Sequence, residues 1–119
     1  MSHTLTVKAK FLDPHAAEMA AREMGCEFLR GEIKLFDGTK VNGVGVKLPG
    51  WKYPVAINTA TGEAKYDNYN GRWGEQSQLD KFTQLYATNK LTIEAKRKGW
   101  LVQRKTLANG SHELQFTGM

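Results

Sequence analysis

The side chains with the widest chemical reach in this chain are three histidines, His3, His15 and His112, and one cysteine, Cys26. A zinc site needs three or four convergent nitrogen, sulfur or carboxylate ligands, usually in short repeated spacings. These four residues lie far apart and match no such spacing, so the histidines read as surface or locally hydrogen-bonded groups. As a nucleophile, Cys26 would need a histidine base within hydrogen-bond reach. Following Gly25, a helix-ending glycine, it reads better as a small buried hydrophobe. Glu23 and Glu27 offer a pair of carboxylates. With no desolvating pattern around them, they fit a solvated helix edge rather than acid–base work. Gly43-Val44-Gly45-Val46-Lys47-Leu48 lacks the third glycine and the following helix of a dinucleotide loop, and no Walker lysine motif occurs. The expectation is a non-enzymatic protein with no catalytic residue, no cofactor and no metal.

Binding chemistry is better represented. The chain carries a net charge of +5 from 17 Lys and Arg against 12 Asp and Glu. Residues 90–105 hold six of the cations, Lys90, Lys96, Arg97, Lys98, Arg104 and Lys105, against the single acid Glu94, so the rest of the chain is balanced. Concentrated positive charge attracts polyanions or an acidic protein face. Cations also gather at a helix C-terminus simply because the macrodipole favours them there. A second concentration is aromatic: Trp51, Tyr53, Tyr66, Tyr69 and Trp73, interleaved with Lys52, Lys65 and Arg72. Rings beside cations can stack exposed bases, and Tyr, Trp and Arg are favoured at protein-interface hot spots. The commoner role of such rings is to cover the core where helix meets sheet.

Length and composition bound the rest. A chain of 119 residues reads as one domain, long enough to bury roughly 65% of the surface its unfolded form exposes. Charged content of 24% and hydrophobic content of 40% are those of a globular protein. One cysteine cannot form an intrachain disulfide, which points to a reducing compartment. Met1-Ser2-His3-Thr4-Leu5 has neither the charged nor the apolar segment of a secretory signal. No apolar run reaches the ~18 residues that would cross a bilayer. The expected setting is cytoplasmic, with no membrane contact.

The elements that must position these residues follow from periodicity and capping. Leu5, Val7, Ala9 and Phe11 alternate with Thr6, Lys8 and Lys10, which predicts a strand over residues 4–11. Asp13-Pro14 supplies an N-cap and a first helical residue, and Gly25 a stop. Ala16, Ala17, Met19, Ala20, Ala21 and Met24 give that helix a small-residue face. Residues 26–36 supply one or two strands. Asp37-Gly38 is a two-residue hairpin signal before a strand at residues 40–48. Gly43 and Gly45 predict a bulge or a close backbone approach, and Pro49-Gly50 breaks the run. Residues 55–58 and 63–66 form another hairpin.

The longest element is a helix over about residues 75–98. Leu79, Phe82, Tyr86 and Ile93 share one face with Leu85 at its margin, and Asn89 interrupts the stripe. Gly99 ends the helix. Residues 100–106 and 113–116 then pair about Asn109-Gly110. The order β-α-β(3–5)-α-β-β predicts an α+β domain over residues 1–119, a mostly antiparallel sheet with two helices on one face.

Several segments carry a family resemblance. They are Asn70-Gly71-Arg72-Trp73-Gly74, Leu79-Asp80-Lys81-Phe82, Gln84-Leu85-Tyr86-Ala87, Glu94-Ala95-Lys96-Arg97-Lys98-Gly99-Trp100 and Asn109-Gly110-Ser111 before Glu113-Leu114. With the opening Met1-Ser2-His3, they resemble the hypothetical chloroplast open-reading-frame proteins, a small family of unknown function. Its members occur in algal plastids and cyanobacteria, with relatives in other bacteria and tailed phages. The short middle and the Gly-Arg-Trp-Gly segment look more like the phage and bacterial branch. The resemblance implies a fold and a size, and brings no catalytic residue or cofactor with it.

Together these residues predict a binding module, a small accessory or phage-encoded regulatory protein that docks on a larger protein or complex. The residues expected to bind a protein partner or polyanion are Lys96, Arg97, Lys98, Arg104, Lys105, Arg72, Trp73 and Tyr69. Nucleic acid, held by the cationic helix end and an aromatic sheet surface, is the alternative partner.

Overall fold

The computed structural model describes residues 10–35, 37–67, 72, 74–108 and 112–118, and the backbone of residues 5–7. In these residues the chain runs β1 (Leu5–Val7), α1 (Pro14–Glu23), β2 (Glu27–Lys34), β3 (Lys40–Lys47), β4 (Val55–Asn58), β5 (Glu63–Tyr66), α2 (Gln76–Arg97), β6 (Leu101–Thr106) and β7 (His112–Thr117). The fold is α+β. Strands β1 to β5 form an antiparallel sheet in the order β1-β5-β4-β3-β2, and β6 and β7 form a separate two-stranded sheet. Four strands therefore lie between the helices, within the expected range of three to five. The terminal hairpin stands apart from the main sheet. The expected Asn109-Gly110 turn, with Asn70, Gly71, Trp73 and Tyr69, lies outside the described residues.

Local chemistry sets both ends of α1. The Asp13 carboxylate accepts the His15 and Ala16 amides at 2.9 and 3.2 Å, satisfying two donors that have no partner inside the helix. Both helices then end alike. Gly25 donates to Arg22 and Cys26 to Ala21; Gly99 donates to Lys96 and Trp100 to Ala95. These paired bonds define the Schellman motif. The glycines take φ values of 69° and 77°, which residues with a Cβ seldom adopt.

One face of the main sheet carries the principal core. Val44 and Val46 of β3, opposite Ile57 and Val55 of β4, pack in one cluster with Ala16, Ala17, Ala20 and Ala21 of α1 and Leu79, Phe82, Leu85 and Tyr86 of α2. Both helices lie on this face. The alanines keep α1 close to its neighbours. Phe11 falls outside β1, although its alternation placed it in the first strand. It is buried against α2, with its ring 5.9 Å from Phe82 and 4.9 Å from Tyr86. The Tyr86 hydroxyl also accepts the Asp13 amide at 3.0 Å, so α2 holds the start of α1 by packing and by a hydrogen bond.

A smaller cluster of Ile33, Leu35, Val41 and Ala56 lies on the opposite face. Gly45 faces this side, and a Cβ there would sit 2.8 Å from the Ile33 Cδ1. A Cβ on Gly43 would collide with the Ile57 carbonyl oxygen. The close backbone approach expected of the two glycines is present at Gly43, whereas at Gly45 the near neighbour is the Ile33 side chain. The β2–β3 hairpin closes through the Leu35 amide and Thr39 carbonyl at 2.8 Å, so its loop is one residue longer than the two-residue turn its Asp37-Gly38 pair signals.

Candidate partner-binding surface

α2 continues for about three turns beyond its last large buried apolar side chains, Leu85 and Tyr86, and ends in Lys96 and Arg97 with Lys98 as C-cap. All three cations are exposed. They sit where the carbonyl ends of the helix favour positive charge. The reversal at Gly99 sends β6 back beside the helix. Residues 102, 104, 112, 114 and 116 share one hairpin face, since Val102 pairs with Phe116 and Arg104 with Leu114. Val102, His112 and Leu114 on that face are half-buried, whereas Leu101, Gln103, Lys105, Glu113, Gln115 and Thr117 on the other are exposed.

The hairpin is fixed to both helices by one polar cluster. The Arg104 guanidinium pairs with the Glu23 carboxylate at the end of α1. Asn89 of α2 donates to the same carboxylate at 2.6 Å and to the Leu85 carbonyl at 2.9 Å. Thr88 Oγ1 and His112 Nδ1 are 3.2 Å apart. Partial burial pushes the Glu23 carboxyl up. The hydrogen bonds from Arg104 and Asn89, with the positive charge of Arg104, outweigh that and hold it below its ordinary value. Asn89 interrupts the apolar stripe in sequence, yet it is only 2% exposed. It is a buried amide with its donors engaged, as burial requires.

The predicted cations are thus in different situations. Lys96, Arg97 and Lys98 stand together at the helix end. Arg104 is committed to Glu23, and Lys105 lies opposite Glu113 across the hairpin. Arg72 is exposed, beside a cleft lined by Pro49, Gly50, Gly74, Glu75 and Gln78. Tyr69 and Trp73 are outside the described residues.

Of the aromatic stretch, Trp51 and Tyr66 are core residues. They are 3% and 5% exposed, with rings 5.5 Å apart edge to face. The Trp51 indole donates to the Glu75 carbonyl at 3.1 Å. Its ring lies against Gly74, where a Cβ would collide with it. Burial pushes the Tyr66 phenol up. Tyr53 is half-buried, with the Lys52 ammonium 5.8 Å from its ring centre. These rings mainly join sheet and helix.

Sequence reasoning missed the apolar component of the surface. Leu91, Trp100 and Phe116 are 49%, 41% and 41% exposed. The Trp100 and Phe116 rings are 6.3 Å apart, and the Lys98 ammonium lies 5.6 Å from the Trp100 ring centre. Leu91 alone carried a signal, because it lies off the stripe defined by Leu79, Phe82, Tyr86 and Ile93. Among the described residues, no group of three or more His, Cys, Asp and Glu side chains is placed to hold a metal ion. Among the same residues, no helix is long and apolar enough to cross a membrane. In comparisons with known proteins, no family model, curated protein or solved structure matches the chain.

Proposed function

We propose that this protein is a non-enzymatic binding module that docks on a larger protein or complex through the C-terminal end of α2 and the terminal hairpin. The observation that carries the reading is exposed Leu91, Trp100 and Phe116 beside Lys98. Large apolar side chains next to cations are the composition of an interface centre and its polar rim. The resemblance to a family with phage and bacterial members suits a small accessory or regulatory protein working in the cytoplasm. Nucleic acid is the alternative partner, attracted by Lys96, Arg97 and Lys98. The burial of Trp51 and Tyr66 removes two of the rings that reading would use for stacking.

Affinity capture from host extract, with and without nuclease, tests the proposal. A protein partner retained after nuclease treatment is expected. Capture that disappears with nuclease, and weakens steeply as salt rises, would favour nucleic acid instead.

A further inference from the structure

Two grooves meet on the outer side of α2. The first, about 410 Å³, is lined by apolar Phe11, Ala87 and Leu91 and by the ammonium-bearing Lys10 and Lys90. The second, about 160 Å³, is lined by Leu91, Ala95, Trp100 and Phe116 with Lys98. Leu91 and Glu94 line both, so the two grooves adjoin, and together they make a channel along α2. From Thr83 to Lys98 the channel follows α2 for about 22 Å, at about 1.5 Å per residue.

We propose that this channel receives an acidic amphipathic helix of a partner protein, an inference that rests on the protein-binding reading above. The lining is mostly apolar, and it includes three lysines against one acid, Glu94. Lys96 and Arg97 continue the positive field beyond its end. The matching ligand presents apolar side chains at three- and four-residue spacing with Asp and Glu on either side, the helix-in-groove mode. About 15 residues of helix fill the channel's length. A second copy of this chain is disfavoured, because a net charge of +5 opposes self-docking on a cationic channel. Nucleic acid is disfavoured because its phosphate backbone would gain nothing from the apolar Phe11, Ala87, Leu91 and Ala95, which an amphipathic helix would cover.

The test selects a random 16-residue peptide display library on the whole protein and maps the enriched peptides by amide NMR shifts. Enriched sequences should be net acidic with helical apolar spacing. They should shift Ala87, Leu91 and Trp100, and Leu91→Glu should weaken them tenfold or more while the melt stays unchanged. Ala87→Glu, also at an exposed site, provides a second variant should the first disturb folding. No enrichment, enrichment of cationic peptides, or shifts elsewhere would overturn the proposal. So would a 16-nucleotide single strand moving the same signals, or those signals moving with protein concentration alone. The two readings fail separately. If a captured partner binds wild type and Leu91→Glu equally, the channel is wrong and the binding module stands; if no nuclease-resistant partner exists, the module reading itself fails.

Discussion

Arg104 in the terminal hairpin pairs with Glu23 at the end of the first helix, 81 residues earlier in the chain. Asn89 on the second helix donates to the same carboxylate. One carboxylate thus joins three elements whose order in sequence gives no hint that they meet. It fixes the hairpin relative to the helix end that carries the exposed cations.

That pair should make hairpin order depend on pH. The folded carboxyl of Glu23 titrates below its ordinary value of 4.5. Its contribution is complete above the unfolded value and is lost as pH falls through the folded one. Both side chains are about one-third exposed, so the solvent-discounted contribution is only about 0.5–1 kcal/mol. Thermal melts of wild type and Glu23→Gln between pH 3 and 7 should differ at neutral pH and converge at the acid end. A constant difference across that range would mean the pair does not titrate as described. Hydrogen exchange in β6 and β7 should rise in Arg104→Ala.

Asn89 should matter more than an exposed polar residue would. Asn89→Leu takes one donor from the Leu85 carbonyl, which keeps its helical bond, and one from the Glu23 carboxylate, which keeps Arg104, so the expected cost is that of ordinary hydrogen bonds, about 0.5–1.5 kcal/mol. Urea unfolding gives the value. A neutral or stabilising result would show that water or a shifted side chain replaces the amide.

Phe82 is fully buried and in contact with Phe11. Phe82→Ala should cost about 3–5 kcal/mol, a large part of the stability of a domain this size. Tyr86→Phe removes only the acceptor of the Asp13 amide and should cost about 1 kcal/mol. Calorimetry on the two variants should preserve that order; equal losses would mean the hydroxyl does more than hold α1.

Cys26 packs half-buried against the main core, and burial pushes its thiol up. At neutral pH it should react with iodoacetamide much more slowly in the folded protein than in urea. Cys26→Ser should lower stability modestly and leave partner binding unchanged. A folded variant that has lost binding would give the sulfur a role in the site.

Much of the fold was legible because it is written locally. Asp13-Pro14, Gly25 and Gly99 mark helix ends through backbone hydrogen bonds made within a few residues. The turn at residues 59–62 is closed by Asn58, whose side chain accepts the Ala60 and Thr61 amides. What was not legible depends on distant partners. Alternation placed Phe11 in a strand, but it is the rings of α2 that bury it. Asn89 looked like a break until Glu23 supplied its acceptor. The hairpin's separation from the main sheet follows from its seat on α2, which no spacing encodes. The cations of the candidate surface were plain in sequence, whereas the exposure of Trp100 and Phe116 depends on how little of the hairpin α2 covers.

If the end of α2 engages a partner, reversing its charge should weaken that binding. Lys98 is kept, since it lies near Trp100, and Lys96→Glu is combined with Arg97→Glu. Binding of the captured partner is measured for wild type and the double variant at low and high salt, with melts as the folding control. A loss is expected at low salt, chiefly in association rate, that shrinks as salt screens charge over about 8–10 Å. Equal affinity of two equally folded proteins at low salt would contradict it, leaving the cations as no more than the complement of their own helix dipole.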